Sequence, residues 1–267
     1  MKSKILWGVG LLAALVLLLF LLCNPFATSA PPESTEPSEP VETESQETQA
    51  QETQTQETQP EHSELYFPGL SVDDVILYFN EVCLDSEFVN GGDPTVIQKW
   101  AAPIYYRISG EYTNKDLSVL NDFVIWLNTI DGFPGIFEAT DANPVNLRIY
   151  FCNEKNLLNI MGPNFKDLDG AVTFWYDDNI IYDATICYRT EIAQYTRNSV
   201  ILEEIYNGLG PIQDTTLRPD SIIYQSFSEP QALTDIDELI LRLLYHRDIL
   251  PGMTAEQCEQ VIRQLYY

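Results

Sequence analysis

Residues 171–188 read AVTFWYDDNIIYDATICY, two runs of β-branched and aromatic residues flanking Asp177-Asp178-Asn179. Such runs favour extended chain and the polar trio is turn chemistry, so the stretch predicts a hairpin with strands over 171–176 and 180–188. Upstream, Leu147, Ile149 and Phe151 alternate with Arg148 and Tyr150, which predicts a half-buried strand over Asn146–Cys152. Over 115–130, Leu117, Leu120, Val124 and Leu127 share a helical face that Val119, Phe123 and Trp126 widen, and Gly132 supplies the stop. Trp100–Ser109 (WAAPIYYRIS) predicts one strand whose proline belongs at an edge or a strand start. Val75, Ile76, Phe79, Val82 and Cys83 fall at helical spacing over Val72–Phe88, behind Ser71 and Asp74 as an N-terminal cap.

Downstream, a helix is expected over Ser199–Leu209, closed by Gly208 or Gly210. A turn region of Pro, Asp and Thr leads to Ser221-Ile222-Ile223-Tyr224. Thr234 and Asp237 then cap a helix carrying Ile236, Leu239, Ile240, Leu243 and Leu244 on one face, and a last helix starts at Thr254 with Gln257 completing its cap. Helices and strands in this order predict an α+β (mixed α/β) domain, a mixed twisted sheet packed against helices.

Outside that domain, over 65–267, the chain obeys other solvent rules. Ile5–Cys23 carries no charge and approaches the ~20 residues of a membrane-spanning helix. Lys2 and Lys4 precede it and no Lys or Arg follows before Lys99, so residues 1–30 predict a single-pass signal anchor with a cytoplasmic N-terminus and an extracytoplasmic C-terminal domain. The small residues of Ala27-Thr28-Ser29-Ala30 offer a cleavage site as the alternative, giving a secreted chain, and Cys23 offers a lipoprotein, against which Leu22 speaks. Residues 31–64 hold ten Glu, no Lys or Arg and a recurring QET unit. They cannot bury enough apolar surface to offset ordering entropy, so they predict a solvated, disordered acidic stalk of ~30 Å reach.

Beyond the stalk remain 30 acidic and 12 basic residues, a charge of about −18. Nucleic acid is excluded as a partner, since phosphate binding needs clustered Lys and Arg. Cations and basic surfaces fit the balance. Cys83, Cys152, Cys187 and Cys258 allow two disulfides in three pairings, or four buried thiols, and their spacing does not choose.

The order of elements resembles the metzincin zinc peptidases, in which an edge hairpin leads to an active-site helix bearing HExxHxxGxxH, then a tight turn and a final helix. The corresponding stretch is Glu203-Glu204-Ile205-Tyr206-Asn207-Gly208-Leu209-Gly210-Pro211-Ile212-Gln213-Asp214, followed by Ser221–Tyr224. Two imidazoles one helical turn apart hold zinc in that motif with Glu beside them as base. Here Glu203, Asn207 and Gln213 stand at the three histidine places, and Ile223 replaces the turn methionine. Only His62 and His246 exist in the chain, so no three-histidine zinc site can be built within one molecule. The resemblance leaves Glu204 at the general-base place, with Gly210, Asp214 and Tyr224 also kept. A glutamate on a helix is, against that, ordinarily a solvated charge.

Glu203, Asn207, Gln213 and Asp214 are oxygen donors of the kind Ca²⁺ or Mg²⁺ takes. In the resembled fold the strand holding Phe174, Trp175 and Tyr176 is the edge that pairs with an extended peptide. Asp167, Asp169, Asp177 and Asp178 offer carboxylates to calcium beside that edge, against which stand the lack of EF-hand spacing and the ordinary use of loop aspartates as turn chemistry. The stretches YFNEVCLDSEF, KWAAPIYYRI and EEIYNGLGPIQDTTLRPDSIIY also resemble an uncharacterised bacterial family of unknown function. Three functions follow as expectations. The first is a membrane-tethered, non-catalytic module binding a peptide, wall polymer or protein in the old cleft. The second is a hydrolase using Glu204 with Glu203 or Asp214, and the third is an inert assembly subunit.

Overall fold

The computed structural model describes residues 65–84, 95–226 and 229–266. The expected anchor and stalk fall outside the described residues, and no described helix is long and apolar enough to cross a membrane.

Among the described residues six strands form one mixed sheet: β1 (Lys99–Trp100), β2 (Ile104–Gly110), β3 (Ile136–Glu138), β4 (Leu147–Cys152), β5 (Gly170–Asp177) and β6 (Ile180–Arg189). β3, β2, β4 and β6 run parallel in that spatial order. β1 lies parallel to the first residues of β6, and β5 returns antiparallel along β6 as the edge of the sheet. The hairpin is thus as expected. Its turn owes its tightness to Asp178 and Asn179, at φ 48° and 63°, the left-handed conformation a two-residue hairpin loop requires.

The expected strand over 100–109 is two strands, because Pro103 has no N–H to give a ladder and the chain breaks before it. β3 was not foreseen. Three residues with a single buried side chain, Ile136, carry too short a pattern to read.

Helices α1 (Val72–Leu84), α2 (Asn114–Leu127), α4 (Gln194–Gly208), α5 (Asp235–Tyr245) and α6 (Ala255–Leu265) contribute to one core on one face of the sheet. Leu147, Ile149 and Phe151 of β4 and Ala184, Ile186 and Tyr188 of β6 reach into it, as alternate residues of neighbouring parallel strands must. The other face holds a smaller core of Leu157, Phe165, Leu168, Ala171 and Cys187 beneath α3 (Glu154–Met161), a helix the sequence pattern did not show. Only Leu157 of α3 is buried, so its apolar stripe is too thin to read.

The caps at Ser71, Thr234 and Thr254 form as expected. Helix α2 ends at Asn128 rather than Ile130, its side chain bonded both ways to the backbone of Ile136. Buried polar groups then lock the elements. The Trp100 ring N–H donates to the Gly208 carbonyl at 2.9 Å, and the Tyr245 hydroxyl to that of Leu209 at 2.7 Å. Lys99 sends its ammonium to the carbonyls of Leu244, at 2.7 Å, and Ile249, and burial pushes its pKa down to about 8. Gly210, at φ 130°, ends α4 where any Cβ would stand 2.6 Å from the Gln98 carbonyl oxygen, so the glycine serves both conformation and close approach.

Candidate functional site

Helix α4 runs against β5 and β6, and the start of β5 sets how close it comes. A Cβ on Gly170 would stand 2.4 Å from Val200 and 2.8 Å from Cγ of Glu204. Only glycine lets the second turn of the helix lie on the strand, and the contact leaves Glu204 1 % exposed. Glu204 is therefore packed against the start of β5.

One residue earlier, Glu203 is half-buried. Burial pushes its carboxyl up to about 8, and repulsion from Asp214 and Asp169 adds to the shift. A carboxyl in that range exchanges a proton near neutrality. Asp169 is raised by burial too, partly offset by Arg189, whose guanidinium stands 3.7 Å away. In the sequence alone Asp169 has the look of loop turn chemistry. No local spacing could have joined it to Glu203, since strand β6 and the loop to α4 lie between them.

Asn207, one helical turn on, is 0 % exposed, and neither atom of its amide meets a hydrogen-bond partner among the described residues. Gln213 and Tyr224 are positioned by backbone. The Gln213 N–H donates to the Val82 carbonyl of α1 at 3.2 Å, and Tyr224 bridges to Thr215. Glu81 of α1 accepts from the backbone N–H and the hydroxyl of Thr216 at 3.0 and 2.9 Å, holding the segment after Asp214 to that helix.

Behind Tyr224, Ser221 donates to Asp237 at 2.6 Å and accepts from the Tyr78 hydroxyl at 2.8 Å. The Ile222 N–H reaches the other Asp237 oxygen at 3.1 Å. Asp237 is buried and also completes the α5 cap through Thr234, at 3.0 Å to its N–H and 2.8 Å to its hydroxyl. The turn after the candidate site is thereby fastened to the next helix by one carboxylate.

The structure therefore sets Glu203 within electrostatic reach of Asp214 and Asp169, with Glu204 against the start of β5 and Asn207 buried one turn on, while Gln213 and Tyr224 serve the turn. On β5 itself Phe174 is buried on the α4 side of the sheet, Trp175 and Tyr176 are half-buried, and the register with β6 shifts between those last two. The described residues contain no group of three or more His, Cys, Asp or Glu side chains arranged to hold a metal ion.

No curated protein matches the chain. A family model described as a protein of unknown function (DUF2927) matches residues 73–264, from the second residue of α1 to the penultimate residue of α6. The match covers the whole sheet and the carboxyl-bearing helix, and the chain belongs to the DUF2927 family.

Proposed function

We propose that this chain is a membrane-tethered, extracytoplasmic module with a zincin-like plan, which binds an extended peptide along β5 and has lost zinc catalysis. The observation that carries the reading is the seat of β5: an antiparallel edge strand laid on α4, the helix that carries Glu203 and Glu204. A sheet edge offers backbone groups to an incoming strand, and alternate side chains then select the sequence. The acidic balance of the domain selects basic peptides. The burial of Glu204 against Gly170 supports binding over hydrolysis, because a general base must come within hydrogen-bond reach of the proton it takes.

A peptide library screened against residues 65–267 tests this. Bound extended peptides are expected to slow amide exchange over residues 170–177 and to lose affinity in Trp175→Ala. Binding that protects other segments and leaves these amides unchanged would remove the edge strand from the account.

The second reading, a carboxylate hydrolase, draws on Glu203, whose pKa of about 8 suits proton transfer. A digest of the same library by wild type, Glu203→Gln and Glu204→Gln, with elemental analysis for calcium and magnesium, separates the two. Cleavage that disappears in either variant favours the hydrolase.

A further inference from the structure

The far face of the sheet holds chemistry that the peptide reading does not use. Cys152 ends β4, and Cys187 lies in β6, the neighbouring parallel strand. Their ladder partners are Arg189 and Tyr150 respectively, so the two cysteines are diagonal neighbours on one face. Both thiols are free and close enough to shift each other's titration.

Their surroundings differ. Cys187 is 0 % exposed within the smaller core, whereas Cys152 is half-buried and lines a pocket of ≈ 350 Å³. That pocket opens between the carboxyl ends of β2 and β4, with Glu111, Asn153, Asn156 and Asn159 on its wall. The hydrogen bond from Cys187 holds the Cys152 thiol below the ordinary thiol range, against the opposing effects of burial and Glu191. The same bond, with burial, pushes Cys187 up. The half-buried residue on the pocket wall thus carries the more acidic thiol, and its partner is sheltered in the core.

We propose that Cys152 and Cys187 are an attacking and a resolving thiol that exchange with low-molecular-weight disulfides entering this pocket. Cys152, as thiolate, attacks one sulfur of a disulfide RSSR and forms a mixed disulfide. The released RS⁻ takes up the proton that Cys152 gave away. Cys187 then attacks the Cys152 sulfur, its proton passing to the second RS⁻ as that leaves. Two protein thiols are oxidised, one small disulfide is reduced to two RSH, and a Cys152–Cys187 bridge remains. A bridge between diagonal neighbours asks for a small backbone movement, and here it falls on the last residue of a strand rather than mid-ladder. The asymmetry separates this pair from Cys83 and Cys258, which are both buried in the larger core, where a solvent-borne disulfide has no approach.

The test is to treat the reduced full chain with oxidised glutathione and map thiols and adducts by peptide mass spectrometry. In wild type the Cys152–Cys187 crosslink is expected, with Cys83 and Cys258 unmodified. In Cys187→Ser the glutathione adduct is expected to stay on Cys152, and in Cys152→Ser the labelling of Cys187 is expected to be lost. A stable adduct on wild-type Cys152 with no crosslink, or both thiols unmodified in folded wild type, overturns the proposal without reference to either variant's folding. Neither result bears on the peptide edge at β5.

Discussion

Glu203 carries a proton for a reason that a stability measurement can see. Its carboxyl ordinarily titrates near 4.5 and is raised to about 8 in the fold, by burial first and then by Asp214 and Asp169. The folded chain therefore holds a proton that the unfolded chain releases between those values, and stability falls as pH rises through that window. Below the unfolded value the group costs nothing, and above about 8 the loss is complete. Glu203→Gln mimics the protonated form at every pH. Its urea midpoint should match wild type near pH 4.5 and exceed it near pH 9, with a flatter profile between. A variant whose midpoint drops in parallel with wild type would show that Glu203 is not the proton holder. The sequence marks Glu203 only as a residue standing where a zinc ligand stands in a resembled motif; its partner Asp169 is reached through a hairpin and is invisible to any local pattern.

Helix α4 shows at the scale of an element why some boundaries are legible and others are not. The expected start at Ser199 follows the apolar pattern, but the helix begins at Gln194, and Arg197 and Asn198 ahead of that start are polar yet buried. Asp116, from the first turn of α2, explains this. It accepts from Arg197 Nε at 2.8 Å, from Gln194 at 2.6 Å and from the Thr113 N–H at 2.7 Å. Burial alone would raise the Asp116 pKa, and these donors, Arg197 foremost, bring it below the ordinary range. The pairing spans 81 positions in the chain, so the sequence offers polar letters with no hint that they face a carboxylate. By contrast the hairpin, β4, α5 and α6 were legible because alternation, turn residues and caps are local. Asp116→Ala would leave the Arg197 charge buried without its carboxylate and should cost about 3–5 kcal/mol of unfolding free energy. Asp116→Leu combined with Arg197→Met, which removes both charges, should cost much less. Equal losses in the single and double variants, read by denaturant titration, would assign the effect to packing alone.

At the scale of the whole molecule the imbalance of 30 acidic against 12 basic residues over 65–267 acts on partners before any contact forms. A net charge of this size cannot specify a fold, but it attracts cationic ligands over about one Debye length, ~10 Å at 0.1 M salt. Residues 31–64 add ten further glutamates and no Lys or Arg. If an extended basic peptide is what settles along β5, its arrival is steered while its departure is set by backbone pairing and side-chain fit. The two contributions then separate by ionic strength. Raising salt from about 0.02 to 0.3 M should slow association of a basic peptide roughly tenfold or more and leave dissociation nearly unchanged. A neutral peptide of the same length should associate at a salt-independent rate. Stopped-flow measurement of both on residues 65–267 decides the matter, and a salt effect confined to dissociation would place the charged contacts inside the bound complex rather than in the approach.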